Sequence, residues 1–414
     1  MRILFLVIFS FTFVYSDIRV SGHLDLDSKA FITSPDSKHS YSLTAIQVLE
    51  FEYEKDNLSA YAKLYFQEDY YDLLNEKNHN DRTFFRLDEL YMKYDFENDS
   101  FKIGKEIKYW GALELKNIVD NFNPVEFRAD IFSKTDKLGV WNISYSHYTD
   151  NGEISLILKL GEQKQRMASS PYVYYAFPSN IFYKDKLNTQ NSRYRPSLYL
   201  KYSASTDTKY ALDFAFIYEN GYDSQRYFTA SKPSNLSLSS PITYVQNAYL
   251  VNKFMTYSTL VVDATLIKLE ALYANVNEDK NIGDYIHIAL GFEHTIENFY
   301  NKAALGIIAE YYRYENLESN KYNDLQLSKV FQNDLFLGLR YSFNNAEDAT
   351  ILGGLVLDTQ YDEQTYYMKY ESRVGDSFKI YLDYYLVRAS KDYATAYSFL
   401  GNHQRIGLNI AYYF

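Results

Sequence analysis

From Ile18 to its C-terminus the chain is written with a period of two. Counting back from Phe414, every second residue is large and apolar or aromatic: Tyr412, Ile410, Leu408 and Ile406. Between them stand Tyr413, Ala411, Asn409, Gly407 and Arg405, most of them small or polar. Successive side chains of a strand point to opposite faces, so this is a strand with one greasy face and one wet face. The same alternation runs through Tyr210-Leu212-Phe214-Phe216-Tyr218, Leu335-Leu337-Leu339-Tyr341-Phe343 and Phe378-Ile380-Leu382-Tyr384-Leu386. Stretches of this kind predict strands over 18–31, 42–54, 58–68, 86–96, 100–110, 137–148, 153–162, 196–205, 209–219, 244–257, 260–274, 284–296, 302–314, 330–343, 348–358, 364–373, 377–388 and 403–414. That makes 18 strands, with 16 as the fallback, since the division near Val262 to Thr265 is the least marked.

The connections between these strands alternate in length. Lys55-Asp56-Asn57, Asn98-Asp99, Thr149-Asp150-Asn151-Gly152, Thr206-Asp207-Thr208, Asn344-Asn345-Ala346-Glu347 and Gly375-Asp376 are tight turns rich in Asn, Asp and Gly. Those residues tolerate the backbone conformations that two-residue hairpins demand. The intervening connections, 69–85, 111–136, 163–195, 220–243, 315–329 and 389–402, are longer. Short turns at one end and long loops at the other suit a chain that runs up and down around a closed sheet. An even strand number returns Phe414 to the end where the first strand begins.

Composition narrows this to one class. Hydrophobic residues make up 47% of the 414, yet the mean hydropathy is −0.38. Beyond the N-terminus no apolar run approaches the roughly 20 residues a spanning helix needs. An all-β, single antiparallel up-and-down transmembrane β-barrel reconciles these facts, because only alternate residues face lipid. The 45 tyrosines and 28 phenylalanines fit aromatic girdles, where one end of a ring is wet and the other apolar. There is no cysteine, which excludes disulfides, thiol catalysis and thiolate metal sites. The formal charge of −11 argues against nucleic acid as a partner, since phosphate binding needs a basic face. Met1-Arg2, the apolar run Ile3–Val14 and the small residue Ser16 have the pattern of a signal peptide cut before Asp17. The expected organisation is therefore a cleaved segment 1–16 followed by one barrel domain, 17–414.

With its terminal Phe414 and the alternating Tyr412, Ile410 and Leu408 before it, the chain resembles Gram-negative outer-membrane β-barrel proteins of the porin type. The resemblance implies that those four residues form the signal read by the barrel-assembly machinery. It also implies periplasmic short turns, extracellular long loops, and contact with outer-membrane lipid and lipopolysaccharide. A second stretch, Ile103-Gly104-Lys105-Glu106-Ile107-Lys108-Tyr109-Trp110-Gly111 running on to Asn123-Pro124 and Arg128, resembles poorly characterised porin-like families. In those a strand ending in Trp-Gly precedes a loop with Asn-Pro and a basic residue. The implication is a loop folded back toward the lumen, its filter drawn from Glu106, Lys108, Trp110, Glu114, Lys116, Glu126 and Arg128. The residues alone leave open that Trp110 is a girdle aromatic and that the loop covers the rim.

The inward parity of the predicted strands carries charges of both signs: Glu89, Lys93, Lys102, Lys201, Asp213, Lys268, Glu270, Glu310, Asp334, Arg340, Lys369, Glu371, Arg373, Lys379 and Asp383. A Lys or Arg on the lipid face would cost about 2–4 kcal/mol at the bilayer midplane, and that cost sets the parity. A lumen of this diameter and polarity is expected to conduct water, small hydrophilic solutes or ions. No cofactor, metal site or chemical step is expected: the seven histidines lack partners at catalytic spacing, and no nucleophile-elbow or zinc-protease motif occurs. Other readings are an adhesin or structural barrel with a closed lumen, and a transporter of hydrophobic compounds. The latter is disfavoured because the first strand leaves no room for an N-terminal plug. A homo-oligomer stays open as a partner, since a trimer's apolar belt reads like lipid-facing surface.

Overall fold

The computed structural model describes residues 18–33, 39–75, 81–170, 172–175, 181–206, 209–231, 242–318, 331–390, 392–393 and 395–414. The expected signal segment 1–16 lies outside them. The strands are β1 (Ile18–Thr33), β2 (Tyr41–Lys55), β3 (Leu58–Asp69), β4 (Phe84–Asp95), β5 (Asp99–Glu106), β6 (Val140–Thr149) and β7 (Gly152–Lys159). Then come β8 (Ile181–Thr189), β9 (Ser197–Thr206), β10 (Ala211–Tyr222), β11 (Tyr227–Ser231), β12 (Ile242–Ala248), β13 (Leu250–Val262) and β14 (Thr265–Val276). The last are β15 (Tyr285–Tyr300), β16 (Ala303–Asn316), β17 (Asn333–Ser342), β18 (Thr350–Asp358), β19 (Gln364–Val374), β20 (Phe378–Arg388) and β21 (Asn402–Tyr413).

Eighteen of these strands form one closed antiparallel barrel. Each pairs with the next along the chain, and β21 closes the ring on β1 through the register His23↔Tyr413 to Thr33↔Gln404. Phe414 extends the seam, exchanging main-chain hydrogen bonds of 3.1 Å with Gly22 in both directions. Closure leaves no open sheet edge, so the ladder of main-chain hydrogen bonds runs from strand to strand all the way round. The short turns work as their residues suggest: Asp56, Asp263, Asn301 and Asn344 all take positive φ near 50°, which Asn and Asp accept more readily than other side chains.

The two faces differ as alternation requires. On β21 Ile406, Leu408 and Ile410 are exposed outward, while His403, Arg405 and Ala411 are buried inside. On β15 Ile288, Leu290 and Phe292 are outside and His287, Ala289 and Glu293 inside. Exposed Leu, Ile, Phe and Tyr form an outer belt over most of the strands, with Met368 and Val374 continuing it on β19. At roughly 25 cal/mol per Å² of apolar surface, such a belt is stable only against another apolar phase.

The structure departs from expectation in several places. β5 stops at Glu106, not at Trp110, because the chain leaves the wall there: Ile107 N–H goes to the Glu89 carboxylate (3.1 Å) and Lys108 N–H to the Asn123 side chain (2.8 Å). The turn between the strands expected at 244–257 and 260–274 falls at Asp263-Ala264, so residues 260–262 belong to the earlier strand. The long loops 163–195 and 220–243 also contain strands, β8 and β11, and the strand expected at 244–257 is split: its first residues, 244–248, belong to β12 and only from Leu250 does β13 enter the barrel wall. β8, β11 and β12 form a separate three-stranded sheet above the barrel, with β12 parallel to β8. In loop 69–85 a short helix, α1 (Tyr70–Leu74), starts at Asp69, whose carboxylate accepts from Tyr71 N–H and Asp72 N–H, an N-cap arrangement.

Candidate functional site

The segment 107–139 does not lie over the rim; it crosses the barrel interior. Its neck is clasped by Asn123, of the Asn-Pro turn, whose amide donates to Glu106 C=O and Leu138 C=O at 2.9 Å each. One buried amide thus ties the departing strand to the returning one. From this neck the loop reaches the opposite wall, β14 to β17, and returns past β1, β20 and β21.

The crossing divides the interior into a filled half and an open half. On the filled side Trp110, Phe122 and Tyr199 of β9 meet at ring centroid distances of 5.0–5.8 Å. Leu113, Ile118 and Val119 join the same buried apolar cluster with Leu272, Ala274 and Tyr285 of the wall. Toward the loop end this packing is capped by fully buried ion pairs. Lys159 and Arg226 share Glu162, and Lys253 lies between Glu219 (3.4 Å) and Asp223 (3.1 Å). Charges buried this deeply persist only when paired.

On the open side lies a cavity of about 950 Å³. It runs from Phe228 and Tyr397 near the long loops to Thr350 and Glu371 beside the short turns. One wall is the loop, through Glu114, Lys116, Phe132 and Lys134; the other is β17 to β21. Glu114 pairs with Arg340 at 2.5 Å. Arg340 also holds Glu293, which takes Lys268 at 2.9 Å. Further along, Arg405 bridges Asp383 (2.7 Å) and Asp130 (2.8 Å), donates again to the Tyr174 hydroxyl (3.0 Å), and lies over the Tyr385 ring at 4.6 Å. Phe132 stacks on Tyr385 with centroids 4.4 Å apart. Lys369 projects above the Tyr367 and Tyr385 rings at 5.7 and 5.9 Å.

The loop's own ionisable groups are tuned by this setting. Burial would push the Asp130 carboxyl up, but Arg405 and Lys29 beside it hold it well below the usual carboxylate range. For Asp136 the balance goes the other way: burial and the nearby Asp130 charge push it up to about 6, outweighing Arg86, a Ser133 hydrogen bond and Lys29. Burial lowers the Lys116 ammonium from its ordinary value, with Asp120 and Glu270 opposing.

Of the seven residues expected to form a filter, Glu114 and Lys116 line the cavity. The other five form the footing of the loop instead. Glu106 is buried between Lys102 (2.7 Å) and Lys108 (2.9 Å). Trp110 is in the apolar cluster, not in a girdle. Glu126 is wholly buried, held by Arg128 at 2.6 Å and Arg86 at 3.2 Å. A loop crossing a lumen has two faces and no fixed period, so its sequence does not show which face each charge will take.

The charges assigned to the inner parity are distributed as follows. Arg340, Lys369, Glu371, Asp383 and Asp334 line the cavity. Lys268, Glu270 and Glu310 are buried at the loop's landing place. Glu89 receives the loop's first amide. Lys93 pairs with Asp95, Arg373 with Asp348, and Lys379 with Glu371. Asp213 accepts from Ser205, and Lys201 is on the face of β9 that carries Tyr199.

Solved structures with a similar course of chain include the outer membrane protein opdK from Pseudomonas aeruginosa. It is 9% identical, with 96% of this chain and 99% of that chain covered, and a TM-score of 0.56. OccK5 (OpdH) of the same organism is 10% identical, covering 96% and 98%, with a TM-score of 0.54. OccD3 (OpdP), also from Pseudomonas aeruginosa, is 9% identical over 96% and 91%, with a TM-score of 0.53. The shared feature is the barrel fold. No protein-family model and no curated protein matches the chain.

Sequence reasoning passed over Arg405, Asp130, Phe132 and Tyr385. For Arg405 the signal was present: it stands at the inner parity of the terminal strand, two residues from Gly407. For Asp130 and Phe132 there was none, because only the crossing brings them to β20 and β21. His403, the first residue of the strand expected at 403–414, is buried on β21 with its ring nitrogen 3.3 Å from the Tyr174 hydroxyl.

Proposed function

We propose that the protein is an outer-membrane channel through which small hydrophilic solutes or ions diffuse passively. The observation that carries this reading is the charged cavity between the crossing loop and β17 to β21, which extends from the long-loop end to the short-turn end. In that orientation the long loops are extracellular and the turns periplasmic, as in other single-chain outer-membrane barrels. The cross-section is set by the loop rather than by strand number, since the filled half is closed by apolar packing and buried ion pairs. Selectivity then rests on the groups facing the open half, with Glu114, Lys116, Arg340 and Lys369 placed to meet a passing solute. Residues 1–16 act as the export signal, and Phe414 with Tyr412, Ile410 and Leu408 serves barrel assembly; lipid and lipopolysaccharide cover the outer belt.

The test is single-channel conductance of the refolded barrel in a planar bilayer, with reversal potential under a salt gradient. Steady conductance that changes ion preference on Lys116→Glu supports the reading. A folded barrel that stays electrically silent overturns it.

A further inference from the structure

A closed barrel offers a crossing segment nothing to pair with, because its ladder groups are already taken. The main chain of 112–119, deep inside the barrel, therefore needs acceptors from side chains. Two carboxylates provide them. Glu270 of β14 receives Ala112 N–H (2.7 Å) and Leu113 N–H (3.3 Å) on one oxygen. Its other oxygen receives Ile118 N–H (2.6 Å) and Val119 N–H (3.3 Å). Glu310 of β16 receives Glu114 N–H (2.5 Å), Leu115 N–H (3.0 Å) and the Tyr312 hydroxyl (2.6 Å). That hydroxyl accepts Lys116 N–H at 3.1 Å. Only Asn117 sends no amide to the wall; its side chain accepts from Leu113 N–H at 2.8 Å and closes the turn.

The shapes match as well. A Cβ at Gly111, where φ is +115°, would lie 2.4 Å from a Glu270 oxygen. A Cβ at Gly291 on β15 would lie 2.6 Å from the Leu113 methyl. The wall has a notch at Gly291, and the loop has a side chain that enters it.

We infer that Glu270 and Glu310 are positioning residues that hold the crossing loop by its main chain, so that the side chains of Glu114 and Lys116 are turned to the cavity and set what passes. This rests on the channel reading but separates two roles within it. Clusters of amides around a carboxylate are strong, charge-assisted contacts, and they do not depend on which side chains the loop carries. Glu114 shows both roles in one residue: its amide is held by Glu310 while its carboxylate pairs with Arg340. The wall carboxylates thus fix where the loop lies, and with it the width it leaves, while the loop's outward side chains join the wall charges in setting selectivity.

The chain contains no cysteine, so one introduced at the fully buried Val119 reports whether the loop stays docked. Val119→Cys is labelled with a polar maleimide in the folded, heat-modifiable barrel, alone and with Glu270→Gln plus Glu310→Gln. A glutamine retains the shape but turns an NH2 group toward amides that need acceptors. The expected result is labelling at least about tenfold faster in the glutamine variant, from local opening of the loop, with a changed and noisier conductance. Lys116→Glu combined with Val119→Cys alone, both glutamates intact, is expected to keep labelling slow while it shifts the reversal potential. A folded glutamine variant labelled as slowly as its parent overturns the inference. Where the double variant does not fold, Glu310→Gln alone with Leu115→Cys is read the same way. Faster labelling in a barrel that conducts neither before nor after substitution upholds the positioning role and overturns the channel reading.

Discussion

Arg405 is almost wholly buried yet charged, and it touches the loop and the wall at once. Asp383 comes from β20 and Asp130 from the crossing loop, so one guanidinium ties the returning chain to the barrel seam. Its planar fork meets two carboxylates and a hydroxyl, which a lysine ammonium would not reproduce. Removing one partner of such a buried set costs about 3–5 kcal/mol, because the other charges are left uncompensated. Arg405→Ala should therefore lower the denaturant midpoint of the folded barrel, and Arg405→Lys should recover only part of the loss. Asp136 and Asp130 act in opposite directions with pH. For Asp136 the folded value lies above the ordinary one, at about 6. Its contribution to stability is present below the ordinary carboxylate pKa and is lost as pH rises through about 6. For Asp130 the folded value is depressed, so its contribution is present above the ordinary pKa and lost as pH falls below it. Hydrogen exchange of 126–138, corrected for intrinsic rates, should speed up in the wild type as pH rises through this range. Asp136→Asn should flatten that rise and leave the acid-side loss in place.

At the scale of strands, alternation assigns different consequences to neighbouring residues. Leu382 is exposed on the outer face of β20, where an arginine should cost about 2–4 kcal/mol at mid-depth. Lys379, on the inner face of the same strand, pairs with Glu371 at 3.1 Å. Leu382→Arg is expected to reduce the yield of heat-modifiable barrel, while Lys379→Glu leaves assembly intact and changes the reversal potential; equal assembly defects would contradict the two-faced wall. Glycine has its own role here. A Cβ at Gly354 on β18 would lie 2.3 Å from the Phe336 ring and 3.0 Å from that of Tyr367. Gly354→Ala should therefore destabilise by about 1–3 kcal/mol through overpacking, read from the unfolding midpoint. The strands were legible because their signal is local and repeated. β5 was misjudged by four residues because Lys108 and Trp110 continue the alternation after the chain has left the wall. β8 and β11 were missed, and β12 was read as part of the barrel strand expected at 244–257, because their pairing joins distant stretches of chain, β12 with β8 in parallel.

For the whole molecule, the decisive feature is that one loop makes a wide barrel narrow. Eighteen strands enclose more space than their own side chains fill, and segment 107–139 takes up the difference on one side only. Replacing 111–119 with a short turn should leave the barrel folded, since its ladder does not depend on the loop. Single-channel conductance should rise several-fold, and the ion preference should weaken with the loss of Glu114 and Lys116. An unchanged conductance would mean that the cavity beside β17 to β21 is not the path. The buried ion pairs around Glu162 and Glu219 predict in turn that the other half stays closed when the loop is shortened.

By itself, the sequence determined the number of strands, their antiparallel order, the end at which the turns lie and the face each strand turns inward. All of these follow from a two-residue period and from turn residues a few positions apart, interactions that chain order already makes local. The tertiary structure alone decided where the loop lands, which of its charges meet the cavity and which are spent on its footing. Ala112 meets Glu270 across 158 positions and Glu114 meets Glu310 across 196. No periodicity in either segment encodes such a meeting, because it depends on the closure of the barrel, which brings opposite walls within reach of one loop.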